Sequence, residues 1–196
     1  MLNLVSIGDA CAPARKVLEY RKSFNHSEAT GFFDSLMTSF DTVLQVLQCD
    51  PESALVTSKV KRTGSHNGYA HMVFTDFEKL ESIHDIKTDT DSDLVFLVER
   101  YRRRWQRLME KVRLFDTVVF VFGGTVTEKQ VYKFFDVLKQ GQAYLMCVHD
   151  GPPMNVSHPR FIEKLRPDYR IPHISPTWDQ QEFNWPKMFE EVQATV

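Results

Sequence analysis

The length, composition and charge of this chain set the first limits on what it does. Its 196 residues, 42% of them hydrophobic, are enough for one domain to bury its own core. The 24 basic and 26 acidic side chains nearly balance, so no overall field attracts nucleic acid or an anionic membrane. We therefore predict no sequence-specific nucleic-acid partner and no membrane association.

The cysteines and the N-terminal residues indicate a reducing compartment. Cys11, Cys49 and Cys147 are odd in number and lack the Cys-x-x-Cys spacing of many zinc and redox sites. This pattern argues against a disulfide framework and against a zinc finger. The N-terminus has no basic segment, and no stretch approaches the roughly 18 apolar residues of a membrane helix. We predict a cytoplasmic protein without a metal or another cofactor.

A strand followed by a helix opens the chain. Residues 2–7 are mostly apolar and stop at Gly8, which is typical of a short strand buried on both faces. Pro13 suits the first turn of a helix, and residues 14–22 mix apolar and basic side chains as a helix does. Cys11 is therefore predicted to lie at a strand-to-helix junction.

The next part of the chain is predicted to contain a helix and two strands. Residues 38–48 carry apolar side chains at helical spacing, with Thr38 as the predicted cap. Residues 54–60 and 69–74 are predicted strands, and the turn-rich residues 63–68 separate them. No repeat, low-complexity tract or long charged block interrupts these elements.

A long helix and a βαβ unit follow. Apolar residues three and four positions apart predict one amphipathic helix over residues 93–113. Residues 116–124 read as a buried strand that ends in glycines, residues 128–139 as a helix and residues 142–148 as another strand. Two strands joined through a helix predict parallel pairing with a right-handed crossover.

Residues 151–196 differ from the rest of the chain. They are rich in proline and irregular, with a short helix expected only around residues 161–165. We interpret them as an extension packed on a core domain of residues 1–150. The predicted fold is a single three-layer α/β domain with a mainly parallel, Rossmann-like sheet and an irregular C-terminal tail.

The ends of the predicted strands are the first candidates for a site, because ligands bind beyond the carboxyl ends of parallel strands. These ends are residues 8–11, 123–125 and 147–150. A thiol at Cys11 would lie near the unpaired amides and the dipole of a helix N-terminus, which favour the thiolate. The alternative is that Cys11 is a small buried hydrophobic residue, as free cysteines commonly are.

A second hypothesis places a phosphate- or sugar-containing ligand at the strand ends. Arginines cover one face of the long helix, and guanidinium groups bind phosphate through paired N–H donors. Two glycines after a strand allow backbone amides to approach a phosphate. The structural alternatives are a solvated helix face and a tight turn. The residues assigned to ligand binding are Asp9, Arg102, Arg103, Gly123 and Gly124.

Several short motifs occur in a defined order along most of the chain. A strand leads into Ser-Ile-Gly-Asp-Ala-Cys at residues 6–11, and Phe-Asp follows at residues 33–34. Tyr69 and the Phe-Thr-Asp-Phe of residues 74–77 come next, and then Tyr-Arg-Arg-Arg at residues 101–104 ahead of an apolar strand. In this order the motifs resemble the papain-like cysteine peptidases, a family of bacterial and viral domains.

The resemblance implies a cysteine-dependent hydrolase or acyl transferase with Cys11 as the nucleophile. Asp34 would orient the base or serve a structural role. The family pattern has tryptophan where this chain has Ser35, and a histidine in the segment matched by residues 74–77, which here has none. The candidates for the general base are His71, His84 and His149.

Three functional hypotheses follow from these observations. The first is the cysteine-dependent enzyme, acting on a peptide or small-molecule substrate. The second is a non-catalytic α/β module that binds the phosphate- or sugar-containing ligand. The third is a catalytically silent module that binds a protein partner.

Overall fold

The computed structural model describes residues 3–8, 11–23, 31–34, 36–113, 117–139, 142–171 and 183–196. These residues form eight strands and six helices. The strands are β1 (Asn3–Ser6), β2 (Leu36–Thr38), β3 (Val60–His66), β4 (Tyr69–Phe74), β5 (Leu80–Ser82), β6 (Val118–Phe122), β7 (Ala143–His149) and β8 (Phe161–Leu165). The helices are α1 (Cys11–Ser23), α2 (Phe40–Gln48), α3 (Pro51–Ala54), α4 (Asp91–Arg113), α5 (Glu128–Val137) and α6 (Trp185–Thr195).

Four of the strands form a parallel sheet in the order β1-β6-β7-β8. Strand β6 has the sequence Val-Val-Phe-Val-Phe and is buried along its whole length, as expected for a parallel strand covered on both faces. The predicted βαβ unit is confirmed, since β6 and β7 pair in parallel and α5 connects them. Because all four strands run the same way, their carboxyl ends lie at one edge of the sheet.

Helices pack on both faces of this parallel sheet. Val119 of β6 belongs to a buried cluster that includes Val17 of α1 and Phe189 of α6. The next residue, Phe120, points to the opposite face, where its ring lies 5.2 Å from the ring of Phe134 in α5. The strand is therefore apolar on both sides because both sides meet helices.

The other four strands form an antiparallel sheet in the order β2-β5-β4-β3. The predicted α/β class is confirmed, but the single, mainly parallel sheet is corrected to two sheets of four strands. The physical reason is the length of β2 and β5, which have three residues each. Strands this short do not display the alternation by which a sequence reveals them.

A tight hairpin joins β3 and β4. Asn67 and Gly68 have φ values of 49° and 80°, and two positive values in succession are typical of a type I′ turn. The turn is thus narrower than the predicted residues 63–68, most of which belong to β3. The strand predicted over residues 54–60 is wrong, because the 3-10 turn Thr57–Lys59 interrupts it.

Local predictions elsewhere have mixed outcomes. The long amphipathic helix is confirmed as α4. The cap of α2 is Ser39 rather than Thr38, because the Ser39 hydroxyl accepts a hydrogen bond from the Thr42 amide at 3.2 Å. Residues 161–165 form β8 rather than a helix, because parallel pairing with β7 outweighs the local preference.

The C-terminal part of the chain contributes to the parallel sheet and to its cover. Strand β8 adds the fourth strand, and α6 buries Trp185, Met188 and Phe189 against one face. A boundary between a core and an extension at residue 150 stays a prediction. Within the described ranges, no helix has both the length and the apolar character needed to cross a membrane.

Gly8 brings the two sheets together. Its φ of +105° lies in a region that side chains of L-residues rarely adopt. A Cβ atom at Gly8 would overlap the methyl group of Thr38 in β2 and would lie 3.2 Å from the Thr38 carbonyl oxygen. The chain therefore leaves β1 and passes against β2 only if this residue is glycine.

We expect Gly8→Ala to lower the free energy of unfolding by about 3 kcal/mol, because it combines backbone strain with overlap against Thr38. Gly68→Ala is the matched control. Gly68 has a φ of +80°, but a Cβ atom added there would meet no atom within 4 Å apart from its chain neighbours. Only a backbone strain of about 1 kcal/mol is therefore expected. Urea denaturation measures both losses, and equal losses would contradict the close packing of Gly8.

Candidate functional site

The carboxyl edge of the parallel sheet holds the junction predicted to carry chemistry. Strand β1 ends at Ser6 and α1 begins at Cys11, so the predicted strand-to-helix junction is confirmed. Helix α1 has 13 residues, and the first amides of a helix have no partner within it and carry its positive dipole end. Asp9 and the side chain of Cys11 lie outside the described part of the chain.

The start of α1 differs from the start of α5, which follows β6. Thr127 caps α5, because its hydroxyl accepts a hydrogen bond from the Gln130 amide at 3.3 Å, while the Gln130 side chain accepts one from the Thr127 amide at 2.9 Å. The residue that precedes α1 is Ala10, whose methyl group cannot accept a hydrogen bond. At the residue before α1 the sequence therefore lacks the hydroxyl that caps α5.

A buried hydroxyl lies on the sheet face that α1 covers. Ser6 is 1% exposed, and its Oγ has no hydrogen-bond partner among the described residues. Side chains alternate along a strand, so Ser6 faces the same side as Leu4, whose buried cluster includes Val17 of α1. An unsatisfied buried hydroxyl destabilises a fold by about 1–3 kcal/mol and calls for an explanation. In the sequence, Ser6 is visible only as a serine within an apolar strand, and this pattern by itself predicts no site.

Burial makes the thiols of Cys49 and Cys147 poor nucleophiles. Cys147 is fully buried in β7, and burial together with the charge of Glu163 raises its pKa far above the ordinary value. Burial also raises the pKa of Cys49 to about 11, with a further contribution from the charge of Asp50. Because a thiol reacts as its thiolate, neither group is suited to nucleophilic chemistry at neutral pH. The third thiol of the chain is Cys11.

His149 ends β7 at the same edge of the sheet, with a side chain that is 3% exposed. Its Nε2 lies 2.9 Å from Glu163 Oε1, and its Nδ1 lies 3.1 Å from the Gly151 amide nitrogen. An Nδ1 that accepts the Gly151 amide proton carries no proton of its own, so Nε2 is the ring nitrogen that donates to Glu163. Glu163 lies on β8, a strand that the sequence did not predict, and sequence reasoning therefore missed it.

Strand β6 separates the start of α1 from His149. The predicted common edge exists, but β1 and β7 are not adjacent. Two strand spacings amount to about 9.6 Å, which is too far for an imidazole to contact a thiol directly from the strand ends. A substrate that lies over the end of β6 would contact both the start of α1 and His149.

Of the other two candidate histidines, His71 lies in the antiparallel sheet and His84 follows its strand β5. His71 is on β4, and its Nε2 lies 2.9 Å from Glu81 Oε2 on β5. The exposed ring of His84 lies 5.7 Å from the ring of His66 and 5.9 Å from that of Tyr69. His149 is therefore the candidate base that shares a sheet edge with Cys11.

Asp34 stabilises a turn. Its Oδ2 accepts a hydrogen bond from the Gly31 amide at 2.6 Å, which matches the structural alternative that the sequence left open. The carboxylate that holds His149 belongs to Glu163. The orienting role considered for Asp34 stays a prediction.

The arginines assigned to ligand binding are used within the fold or face solvent. Arg102 donates from Nε to the Leu55 carbonyl at 2.8 Å and from Nη2 to the Glu52 carbonyl at 2.9 Å. These bonds tie α4 to the end of α3 and leave few donors for a phosphate. Arg103 is more than half exposed and lies 3.9 Å from Glu99, one helical turn earlier. It belongs to the solvated face of α4.

Gly123 and Gly124 follow β6 at the carboxyl edge and are partly exposed. A Cβ atom at Gly124 would lie 2.9 Å from Cε1 of Phe122. Close packing against the Phe122 ring therefore explains why residue 124 is a glycine, and a bound phosphate is not needed to explain it.

A buried ionic cluster joins α4 to the antiparallel sheet. The Asp85 carboxylate accepts hydrogen bonds from Arg100 and Ser82, each at 2.6 Å, and from the Tyr101 hydroxyl. Arg104 lies 3.8 Å from the same carboxylate, and its Nη1 has no hydrogen bond within the described ranges. Burial and the charge of Asp85 raise the pKa of Tyr101 well above its ordinary value, so its hydroxyl stays a donor. This cluster is a structural anchor on the other sheet.

No family model, no curated protein and no solved structure matches this chain. Among the described residues, no group of three or more histidine, cysteine or acidic side chains is arranged to hold a metal ion. The functional assignment therefore depends on the geometry at the carboxyl edge of the parallel sheet.

We expect Asp85→Asn to lower the free energy of unfolding by about 3 kcal/mol, because Arg100 and Arg104 lose their buried counter-charge. Asp76→Asn is the matched control, since Asp76 pairs with Lys59 at the surface and should contribute less than about 1 kcal/mol. Urea denaturation of both variants tests the difference. A loss in Asp85→Asn no larger than in the control would contradict an anchoring role.

Proposed function

We propose that the protein is a cysteine-dependent hydrolase or acyl transferase with Cys11 as its nucleophile. The observation that carries the proposal is the position of Cys11 as the first residue of α1, at the carboxyl edge of the parallel sheet. A thiolate there lies at the positive end of a helix dipole, an arrangement that lowers a thiol pKa.

In the proposed reaction, the Cys11 thiolate attacks the carbonyl carbon of an ester, thioester or amide. The electron pair of the carbonyl bond moves to oxygen, and the first amides of α1 stabilise this oxyanion. The oxyanion then collapses, the bond to the leaving group breaks and the acyl group stays on sulfur, while the leaving group takes a proton from solvent water. Water releases the acyl group as a carboxylic acid, or a second nucleophile takes it.

His149 and Glu163 act as the general base in this scheme. Glu163 accepts the proton of Nε2, so Nδ1 is the basic nitrogen of the ring. The Gly151 amide occupies Nδ1 and has to move before the ring takes a proton. Because β6 separates His149 from the start of α1, its role is to activate the water that releases the acyl group.

The resemblance to papain-like cysteine peptidases of bacteria and viruses adds to the proposal, because it assigns the same nucleophile. It implies a peptide or small-molecule substrate, and a reducing cytoplasm would keep the thiol active. We include a Rossmann-like, three-layer arrangement in the proposal, since sheets of that type bind ligands beyond the carboxyl ends of their strands.

The hypothesis of a non-catalytic module has less support. The Arg102 guanidinium is bonded within the fold, and packing accounts for Gly124.

We expect iodoacetamide to alkylate Cys11 much faster than the other two cysteines at neutral pH. The rate of Cys11 should rise with pH around a midpoint below about 8.5, because the helix start favours its thiolate. Cys49, whose pKa is raised from 9.0 to about 11, should hold about a hundredfold less thiolate than an ordinary thiol. Mass spectrometry of the native protein, sampled over time at several pH values, gives each rate.

Cys11→Ser and Cys49→Ser are matched controls for this experiment. The fast reaction should vanish in the first variant and persist in the second. If Cys11 is inert in the folded protein, or titrates as an ordinary thiol, it is not the nucleophile.

p-Nitrophenyl acetate separates the two steps of the proposed reaction. Acylation of Cys11 releases p-nitrophenolate as a burst, and later turnover reports release of the acetyl group. In His149→Asn the burst should remain while turnover falls about a hundredfold, because the attacking water loses its base. His71→Asn, the same substitution on the other sheet, should leave both phases unchanged. Unchanged turnover in His149→Asn, or an equal loss in His71→Asn, would exclude His149 as the base.

A further inference from the structure

A cavity of about 310 Å³ lies between α1 and α6, apart from the carboxyl edge. Helix α1 contributes Lys16, Glu19 and Tyr20 to its wall, and α6 contributes Trp185 and Glu190 among others. Its volume is at the lower end of the range for sites that hold small molecules. None of these residues takes part in the proposed cysteine chemistry.

Aromatic rings form the interior of this cavity. Phe183, Trp185 and Phe189 are almost fully buried, so packing holds them in place as a rigid wall. The partly exposed ring of Tyr20 packs edge-on against Phe189, with 5.0 Å between the ring centroids. An apolar body fits such a wall, and Tyr20 is the ring that an incoming ligand meets.

The charges around the cavity are unevenly paired. Among the lining residues, Lys16 Nζ lies 3.0 Å from Glu19 Oε2, so these two charges neutralise each other. Arg15 also bonds the Glu19 carboxylate at 3.0 Å, but it is exposed and does not belong to the cavity wall. Glu190 is exposed and has no hydrogen bond or ion pair among the described residues. Burial, together with the charge of Glu190, raises the pKa of Tyr20, which indicates that this carboxylate acts on the cavity.

We propose that this cavity binds a small organic cation with an apolar body, an alkyl- or arylammonium compound. The ammonium group pairs with Glu190 and lies near the ring of Tyr20, while the apolar body packs on Phe183 and Trp185. Aromatic rings attract cations through their electron-rich faces, and a nearby carboxylate adds to this attraction. An anionic ligand would meet the unpaired charge of Glu190, and a neutral one would leave that charge unused.

Isothermal titration calorimetry with three benzene derivatives tests the proposal. The probes are benzyltrimethylammonium, benzyl alcohol and benzenesulfonate, which share a ring and differ in charge. We expect the cation to bind at least about tenfold more tightly than the other two, because it alone pairs with Glu190. Equal affinity for the three probes, or no heat from the cation up to about 20 mM, would overturn the proposal.

Two variants locate the binding. Glu190→Gln should weaken the binding of benzyltrimethylammonium about fivefold or more. Glu78 is an exposed glutamate before β5, and Glu78→Gln should leave this affinity unchanged. Both substitutions are at the surface, and a thermal melt checks that each variant is folded. Equal affinities in the two variants would overturn the assignment. The alkylation rate of Cys11 tests the enzyme proposal separately, so either proposal can fail without the other.

Discussion

The close approach of Gly8 to Thr38 determines how the rest of the structure is arranged. Gly8 takes a positive φ where the chain leaves β1, and its α-carbon packs on the side chain of Thr38 in β2. The same residue therefore ends the first strand of the parallel sheet and sets the position of the antiparallel sheet. Cys11 begins α1 three residues later, so its place at the carboxyl edge depends on a residue that bears no side chain.

Burial gives residues of the same type different chemistry in this protein. Cys147 lies inside the parallel sheet and Cys49 is partly covered, and both thiols lose acidity because a thiolate is poorly solvated there. Cys11 instead begins a helix whose first amides favour negative charge. The reactivity proposed for Cys11 thus rests on the contrast between a helix start and an apolar interior.

A loop holds the His149 and Glu163 pair that we propose as the general base. Residues 150–160 join β7 to β8 without a helix, and this loop is held by the Gly151 amide on His149 and the Met154 amide on Glu163. Both ring nitrogens of His149 are occupied in this state. Proton transfer by His149 therefore requires the start of the loop to move, which couples the proposed release of the acyl group to local loop opening.

The sequence alone determined the elements whose signal is local and long. The period of α4, the uninterrupted apolar run of β6 and the Gly8, Pro13 pair around Cys11 each predict an element through contacts within a few residues. These local patterns are enough to predict Cys11 and His149 at the ends of strands.

Only the tertiary structure decided which of these residues meet. Strand β8 and its Glu163 exist because β7 supplies backbone partners, and β2 and β5 are too short to show a period. The order β1-β6-β7-β8 places one strand between Cys11 and His149, and no local pattern encodes strand order. Pairing between distant strands depends on long-range burial and backbone hydrogen bonding, and these contacts form only when the whole chain folds.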